Sequence, residues 1–204
     1  MRKIITQYYT PEISELFGLT STVNQAYATK NGYEYITNNT LRCPTRAKQW
    51  EKIAWIINLL STVEDGSLVV FEDCDSLNLN GDISNMLPSG SQIGMVQIRG
   101  GNNGEQPMSW YNSGVIAMIN SQTLRDFWNR VWTRNDILDE DSIVKELKSN
   151  SWTIGNGYPI YGMDPSWNCW NNNAKLVTTI NIKSWHSMSY ANKLASIKEF
   201  LNKN

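Results

Sequence analysis

Residues 66–80, GSLVVFEDCDSLNLN, decide how the rest of the chain is read. Leu68, Val69, Val70 and Phe71 form a continuous apolar run, the pattern of a strand covered on both faces. The run ends in Glu72-Asp73-Cys74-Asp75, which sets two carboxylates at i and i+2. Side chains so spaced on an extended chain point the same way, so Asp73 and Asp75 are expected to converge. Two bare carboxylates at one spot repel, and one pKa rises unless a cation shares the site. A divalent ion resolves the conflict, and oxygen-only ligation suits magnesium or manganese. An acidic turn after a core strand is the alternative, since an Asp-x-Asp triplet is common by itself.

Composition narrows the function classes. The 204 residues suffice for one large α/β domain with a substantial core and are few for two, so a single domain over 1–204 is expected. The net charge of -1, with no basic stripe along a helix, argues against a nucleic-acid partner. Nine Trp and nine Tyr, several in polar segments, permit stacking on sugars or bases beside ordinary packing. Cys43, Cys74 and Cys169 match neither a zinc spacing nor a disulfide framework, which suggests a reducing compartment. No apolar run approaches the ~20 residues of a membrane span, and the first residues lack a signal-peptide core. The expected location is therefore cytoplasmic.

Strand-like and helix-like segments alternate along the chain. Residues 3–8 read as a first strand. Leu16, Phe17, Thr20, Val23 and Tyr27 follow helical spacing up to an Asn31-Gly32 stop. Residues 33–36 read as a second strand, and 46–61 as an amphipathic helix with Trp50, Ile53, Ala54, Ile57 and Leu60 on one face. After the Asp-x-Asp strand come strands at 93–98 and 114–119. Ser121 is placed to cap a helix carrying Leu124, Phe127, Val131 and Trp132, and Asp139 to cap the next. Residues 176–182 read as a further strand, and 190–201 as a last helix. This order predicts a central mixed β-sheet flanked by helices on both faces, a Rossmann-like α/β fold.

Open α/β sheets bind ligands at the carboxyl ends of their strands, where Asp73 and Asp75 fall. Downstream, Trp110-Tyr111-Asn112-Ser113-Gly114 opens a strand, its Asn and Gly permitting a tight turn with exposed polar groups. Asp139-Glu140-Asp141 begins a helix, and capping with a favourable dipole interaction explains that cluster without any catalytic role. His186 is the only histidine. It bears on the site only if folding returns it beside the two aspartates. Trp167 and Trp170 are candidates for stacking on an acceptor sugar or for packing under a long loop. The Gly100-Gly101 run to Gly104 precedes no amphipathic helix and reads as a mobile loop rather than a phosphate cradle.

Taken in order, these residues resemble a known pattern. The series runs N-x-x-YA-x-x-NGYEY, R-x-x-x-W-x-K, apolar-x-x-DxD, W-Y-N-S-G, D-E-D and a late His, covering residues 24–186. It is similar to the GT-A-fold nucleotide-sugar glycosyltransferases. The nearest resemblance is to the galactosyl/xylosyl/mannosyltransferase family of galactomannan and xyloglucan enzymes, with glycogenin-like enzymes further off. A virus-encoded minimal glycosyltransferase, of the kind chlorella viruses carry for capsid glycans, is one identity the resemblance suggests.

The resemblance implies roles. Asp73 faces the ribose and helps hold the metal, Asp75 ligates the metal directly, and His186 completes the metal site. Arg46 and Lys52 lie near the donor, Asn112 and Gly114 beside the sugar, and Asp139 and Glu140 near the transferred sugar and acceptor. Tyr8, at the end of the first strand, is implied to stack on the base, with Asn38 or Asn39 as a partner for ribose or base. The cofactor is then manganese or magnesium, the donor a UDP-sugar and the acceptor a saccharide or glycoprotein glycan. The glycogenin-like pattern departs after His186: Ser189 and Asn192 replace its Gly and Lys, and Lys193 falls one place further on. The anchor and stem of Golgi members are missing from the sequence. Two other functions fit parts of the chain. A sugar nucleotidyltransferase would need a basic Gly-rich loop where Tyr8-Tyr9-Thr10-Pro11-Glu12 stands, and a non-catalytic carbohydrate-binding domain would not need the Asp-x-Asp strand.

Overall fold

A computed structural model describes residues 1–79, 81–99, 109–134, 136–149, 160–163, 167, 182–184 and 189–203. Eight strands are present among them: β1 (Lys3–Tyr8), β2 (Glu34–Asn38), β3 (Leu68–Asp73), β4 (Ser76–Asn78), β5 (Ile93–Arg99), β6 (Ser109–Ile119), β7 (Ile160–Met163) and β8 (Ile182–Ser184). The helices are α1 (Ser14–Asn31), α2 (Trp50–Thr62), α3 (Gln122–Thr133), α4 (Asp139–Ser149) and α5 (Tyr190–Lys203). Six strands form one sheet in the order β2-β1-β3-β6-β5-β7, and β4 pairs with β8 in a second. β1 runs parallel to both β2 and β3, whereas β6 is antiparallel to β3 and β5. The expected mixed α/β sheet is found.

The alternation of β3 explains the layering. Val69 and Phe71 point to one face, where they pack with Ile53, Ile56 and Leu60 of α2, Phe127 and Trp128 of α3, and Ile143 and Leu147 of α4. Leu68 and Val70 point to the other, against Ala28 of α1 and Ile83 and Met86. α5 lies outside α1, with Ile197 against Leu16 and Leu77. Trp128, Phe71 and Phe127 are among the largest fully buried side chains, and each such burial contributes roughly 1.5–3 kcal/mol. They fix α2, α3 and α4 to the face toward which odd-numbered residues of β3 point. Among the described residues no helix is long and apolar enough to cross a membrane.

Several boundaries differ from expectation. α1 ends as predicted, with Gly32 in the left-handed conformation at φ 71° and its N–H returned to Ala28 and Thr29. α2 starts at Trp50, not Arg46. The chain before it is held by side chains: the Glu51 carboxylate accepts from the backbone N–H of Arg42 and Cys43 at 2.7 and 2.8 Å, while the Arg46 guanidinium lies over the rings of Trp50 and Trp132. β2 spans 34–38 because Tyr33 turns into the core beneath α1. β6 begins at Ser109, five residues before the expected 114, since its pairing with β5 continues to Arg99. Residues 176–181, expected as strand, lie outside the described residues, and the strand found nearby is β8. Ser121 does cap α3, its hydroxyl accepting from Leu124 N–H at 3.2 Å.

Candidate active site

The site is built where β3 ends and β6 departs from its register. Met95 of β5 faces Ile116, but Val96 already faces Asn112, so Ser113, Gly114 and Val115 are extra on β6. Such a bulge bends the strand and re-aims its side chains. Val115 still pairs with Glu72, so the bulge stands over the carboxyl end of β3. Asn112 shapes it, its Oδ1 accepting from Gly114 N–H at 2.8 Å in an Asx-type turn. The result is a polar cleft of about 270 Å³ lined by Lys52, Asp73, Cys74, Asp75, Asn112, Ser113, Gly114, Asp139, Glu140 and Lys193.

Asp73 and Asp75 do meet in this cleft, but not by the i, i+2 geometry of a strand. β3 stops at Asp73, and Cys74 and Asp75 form the turn into β4. Asp73 carries the odd-numbered direction of β3, toward α2, and its Oδ1 faces Lys52 Nζ at 3.6 Å. Asp75, only 3 % exposed, is met instead from α5, where Lys193 Nζ donates to its Oδ2 at 2.5 Å. The turn is pinned from α1 by two fully buried polar side chains. Thr20 Oγ1 donates to the Cys74 carbonyl at 2.6 Å, and Asn24 Nδ2 to the Ser76 carbonyl at 2.9 Å. Gln7 Nε2 adds a bond to the Asp73 carbonyl at 3.0 Å.

On the other wall, α2 and α4 meet the bulge through a charged cluster. Lys52 Nζ lies 3.1 Å from Asp139 Oδ2 and donates to Ser113 Oγ at 2.7 Å. Ser113 Oγ is 3.0 Å from Asp139 Oδ2 and 3.2 Å from Glu140 Oε1, and Ser113 N–H donates to the same Glu140 oxygen at 3.0 Å. Burial would lower the Lys52 pKa, yet the charges of Asp139 and Asp73 overcome it and hold the ammonium well above its ordinary value. Asp139 is the first residue of α4, and its Oδ2 goes to Lys52 and Ser113 rather than to the helix end. The capping role expected of it is thereby taken over by the cleft.

Among the described residues, four carboxylates (Asp73, Asp75, Asp139, Glu140) and two ammonium groups (Lys52, Lys193) line the cleft. The carboxylates offer hard oxygen donors of the kind a divalent cation takes. Among the described residues no group of three or more His, Cys, Asp or Glu gathers for a metal. Asp73 and Asp75 supply carboxylate oxygens, the donor type magnesium and manganese take. Burial, then the charges of Asp75 and Asp73, push the Cys74 thiol well up, so it offers no thiolate nucleophile.

Of the residues expected at the site, Lys52, Asp73, Asp75, Asn112, Gly114, Asp139 and Glu140 line this one cleft. Tyr8, Asn38 and Arg46 do not. The Tyr8 ring is buried in the core with Trp50 and Trp55, while Tyr9 stacks on Phe17 at a centroid distance of 3.8 Å. Arg46 donates to the carbonyls of Trp132 and Arg134 at 2.9 and 3.4 Å, a structural clasp between the segment before α2 and the end of α3. Asn38 sits at the end of β2, its Nδ2 3.4 Å from the Thr40 carbonyl. His186, Trp170 and residues 100–107 lie outside the described residues, and Trp167 packs against the core on the Leu68 and Val70 face of the sheet. The sequence reading overlooked Ser113, although it stands between two residues singled out in Trp110-Tyr111-Asn112-Ser113-Gly114. It also overlooked Glu72, which faces α1 fully buried and accepts from Asn78 Nδ2 at 2.9 and 2.8 Å. Burial pushes its carboxyl up to about 8, partly offset by that amide.

The architecture is that of the GT-A glycosyltransferases. A glycosyltransferase involved in the glycosylation of the major capsid of PBCV-1 matches with a TM-score of 0.73 over 98% of this chain and 100% of that one, at 15% identity. An active-site mutant of LgtC matches with a TM-score of 0.57, 12% identity and coverage of 96% and 95%. A Drosophila β1,4-galactosyltransferase 7 mutant, in complex with manganese, UDP-Gal and xylobiose, matches with a TM-score of 0.50, 14% identity and coverage of 91% and 71%. No protein-family model and no curated protein matches the sequence. At these identities the likeness concerns the fold.

Proposed function

We propose that this protein, acting as one domain over residues 1–204, is a metal-dependent glycosyltransferase. It moves a hexose or related sugar from a UDP-sugar to a saccharide acceptor. One observation carries the proposal: on a GT-A fold, the two aspartates at the end of β3 and in the turn after it, the bulge of β6 and the acidic start of α4 meet in one cleft. Asp73 and Asp75 would hold manganese or magnesium, with His186 as the further ligand that the family resemblance implies. When bound, the cation stabilises the negative charge that grows on the diphosphate as it leaves.

The chain's own residues do the rest. The bond from the anomeric carbon to the diphosphate oxygen breaks with its electron pair on the oxygen, and the acceptor oxygen bonds to that carbon. The acceptor's proton needs a carboxylate, and Glu140 on the cleft wall supplies it as general base. Asp139, held between Lys52 and Ser113, contributes a fixed charge beside it. Lys52 keeps its proton and orients both Asp139 and Asp73. Calorimetric titration of UDP with and without manganese tests the proposal. Manganese-dependent UDP binding is expected. Binding of free sugar without nucleotide or metal points instead to a carbohydrate-binding domain, and UDP binding indifferent to manganese overturns the metal site.

A further inference from the structure

We propose that Ser113 is a positioning residue of this cleft, holding Glu140 by backbone and side chain together in the orientation from which it serves the transferred sugar. The inference deepens the glycosyltransferase reading and rests on it. Ser113 is 1 % exposed and sits inside the β6 bulge, so its position is set by the sheet and not by a mobile loop. Its Oγ touches three charged groups at once: Lys52 Nζ at 2.7 Å, Asp139 Oδ2 at 3.0 Å and Glu140 Oε1 at 3.2 Å.

The hydrogen count gives this contact its direction. An ammonium only donates, so Ser113 Oγ accepts from Lys52 and has a single proton left to give. Asp139 Oδ2 already receives Lys52 directly at 3.1 Å. Glu140 Oε1 receives the Ser113 N–H at 3.0 Å, and the one hydroxyl proton has Asp139 Oδ2 at 3.0 Å and Glu140 Oε1 at 3.2 Å within reach. Glu140 is thus tied to β6 through one oxygen, Oε1. Rotation about that fixed point is restricted, and Oε2 is the atom left to meet a substrate. A carboxylate on the first turn of a helix would otherwise sample several rotamers. Holding it in one orientation is worth rate and not affinity, because the orientation matters when the proton moves.

Ser113→Ala removes the hydroxyl and keeps the backbone N–H. The test measures turnover and KM on UDP-glucose and UDP-galactose with manganese, hydrolysis being scored where no acceptor is known. UDP affinity by calorimetry and the thermal midpoint are measured beside them. The expected result is a fall in kcat of roughly 10- to 100-fold with KM and UDP affinity within about twofold of wild type. Unchanged kcat overturns the proposal. Equal losses of kcat and UDP affinity, or an Ala variant unfolded at assay temperature, overturn it in favour of a purely structural serine. A wild-type protein that binds UDP but releases sugar from neither donor removes the glycosyl-transfer reading, and this inference with it.

Discussion

Lys52 Nζ stands 3.1 Å from Asp139 Oδ2, joining α2 to the first residue of α4 across the carboxyl end of the sheet. The pair is largely withdrawn from solvent, with side-chain exposures of 11% and 6%. The same ammonium reaches Asp73, so one buried cation links the proposed metal site to the proposed acid–base pair. Ion pairs at this depth are strongly destabilising when one partner is removed, because the other charge stays buried.

Lys52→Ala is accordingly expected to cost about 3 kcal/mol of stability, read as a lower urea midpoint at unchanged m-value. The pH sign follows from the raised Lys52 pKa. A lysine whose folded pKa exceeds its unfolded value contributes fully below the unfolded value, near 10.5, and loses that contribution as pH rises through the folded one. The difference between wild type and variant should therefore be constant from pH 6 to about 9. A difference that shrinks across that window would show a neutral Lys52.

Asp75→Asn keeps the size of a side chain that is 3 % exposed and bonded to Lys193, which makes it a cleaner probe than Ala. It is expected to remove the manganese dependence of UDP binding. Asp73→Asn should weaken nucleotide and metal together. Calorimetry with UDP and manganese reads both, and undiminished manganese dependence in the Asp75 variant sinks the assignment.

Glu140→Gln and Asp139→Asn should differ in kind. The Glu140 variant is expected to lose turnover by roughly 10²- to 10⁴-fold with nearly normal UDP binding and stability. Asp139→Asn removes the nearer of the Lys52 counter-ions and should lower both turnover and the unfolding midpoint. Normal turnover in both variants would return the acidic start of α4 to a structural role.

Glu72 makes stability depend on pH in the opposite sense to an ordinary paired carboxylate. Its folded pKa of about 8 lies above the unfolded 4.5, so between those values the native state holds a proton that the unfolded chain has released. Unfolding is then favoured progressively as pH rises through the window, and stability falls. Glu72→Gln keeps the shape of the protonated acid and should flatten this decline, making the variant more stable than wild type near pH 8. Urea midpoints for both proteins from pH 5 to 8 decide it.

Much of this architecture is written locally. The apolar run of residues 68–71 with its acidic end, the Asn31-Gly32 stop and the Ser121 cap are short-range patterns with short-range causes, and each appears in the fold as expected. The order of strands and helices implied a mixed sheet covered on both faces because each element carries its buried stripe in its own periodicity. Asp73, Asp75, Asn112, Asp139 and Glu140 were legible as polar residues at strand ends and a helix start, and together with Gly114 they line one cleft.

Tertiary structure alone decided how those residues meet. Asp73 and Asp75 were expected to align along an extended chain. They meet instead through a turn that Thr20 and Asn24 hold from α1, and no local pattern marks a helix polar group as the anchor of a distant turn. Tyr8 and Arg46 carry the residue types of a binding site, yet the packing of Trp50, Trp55 and Trp132 places them elsewhere. Ser113 carries no signal in the sequence, because a serine becomes chemically distinctive only when a bulge sets its hydroxyl among Lys52, Asp139 and Glu140. Sequence determines which charges exist and on which elements they ride. Which charges become neighbours is a matter of long-range packing, and hydrogen-bond roles and pKa shifts follow from that neighbourhood.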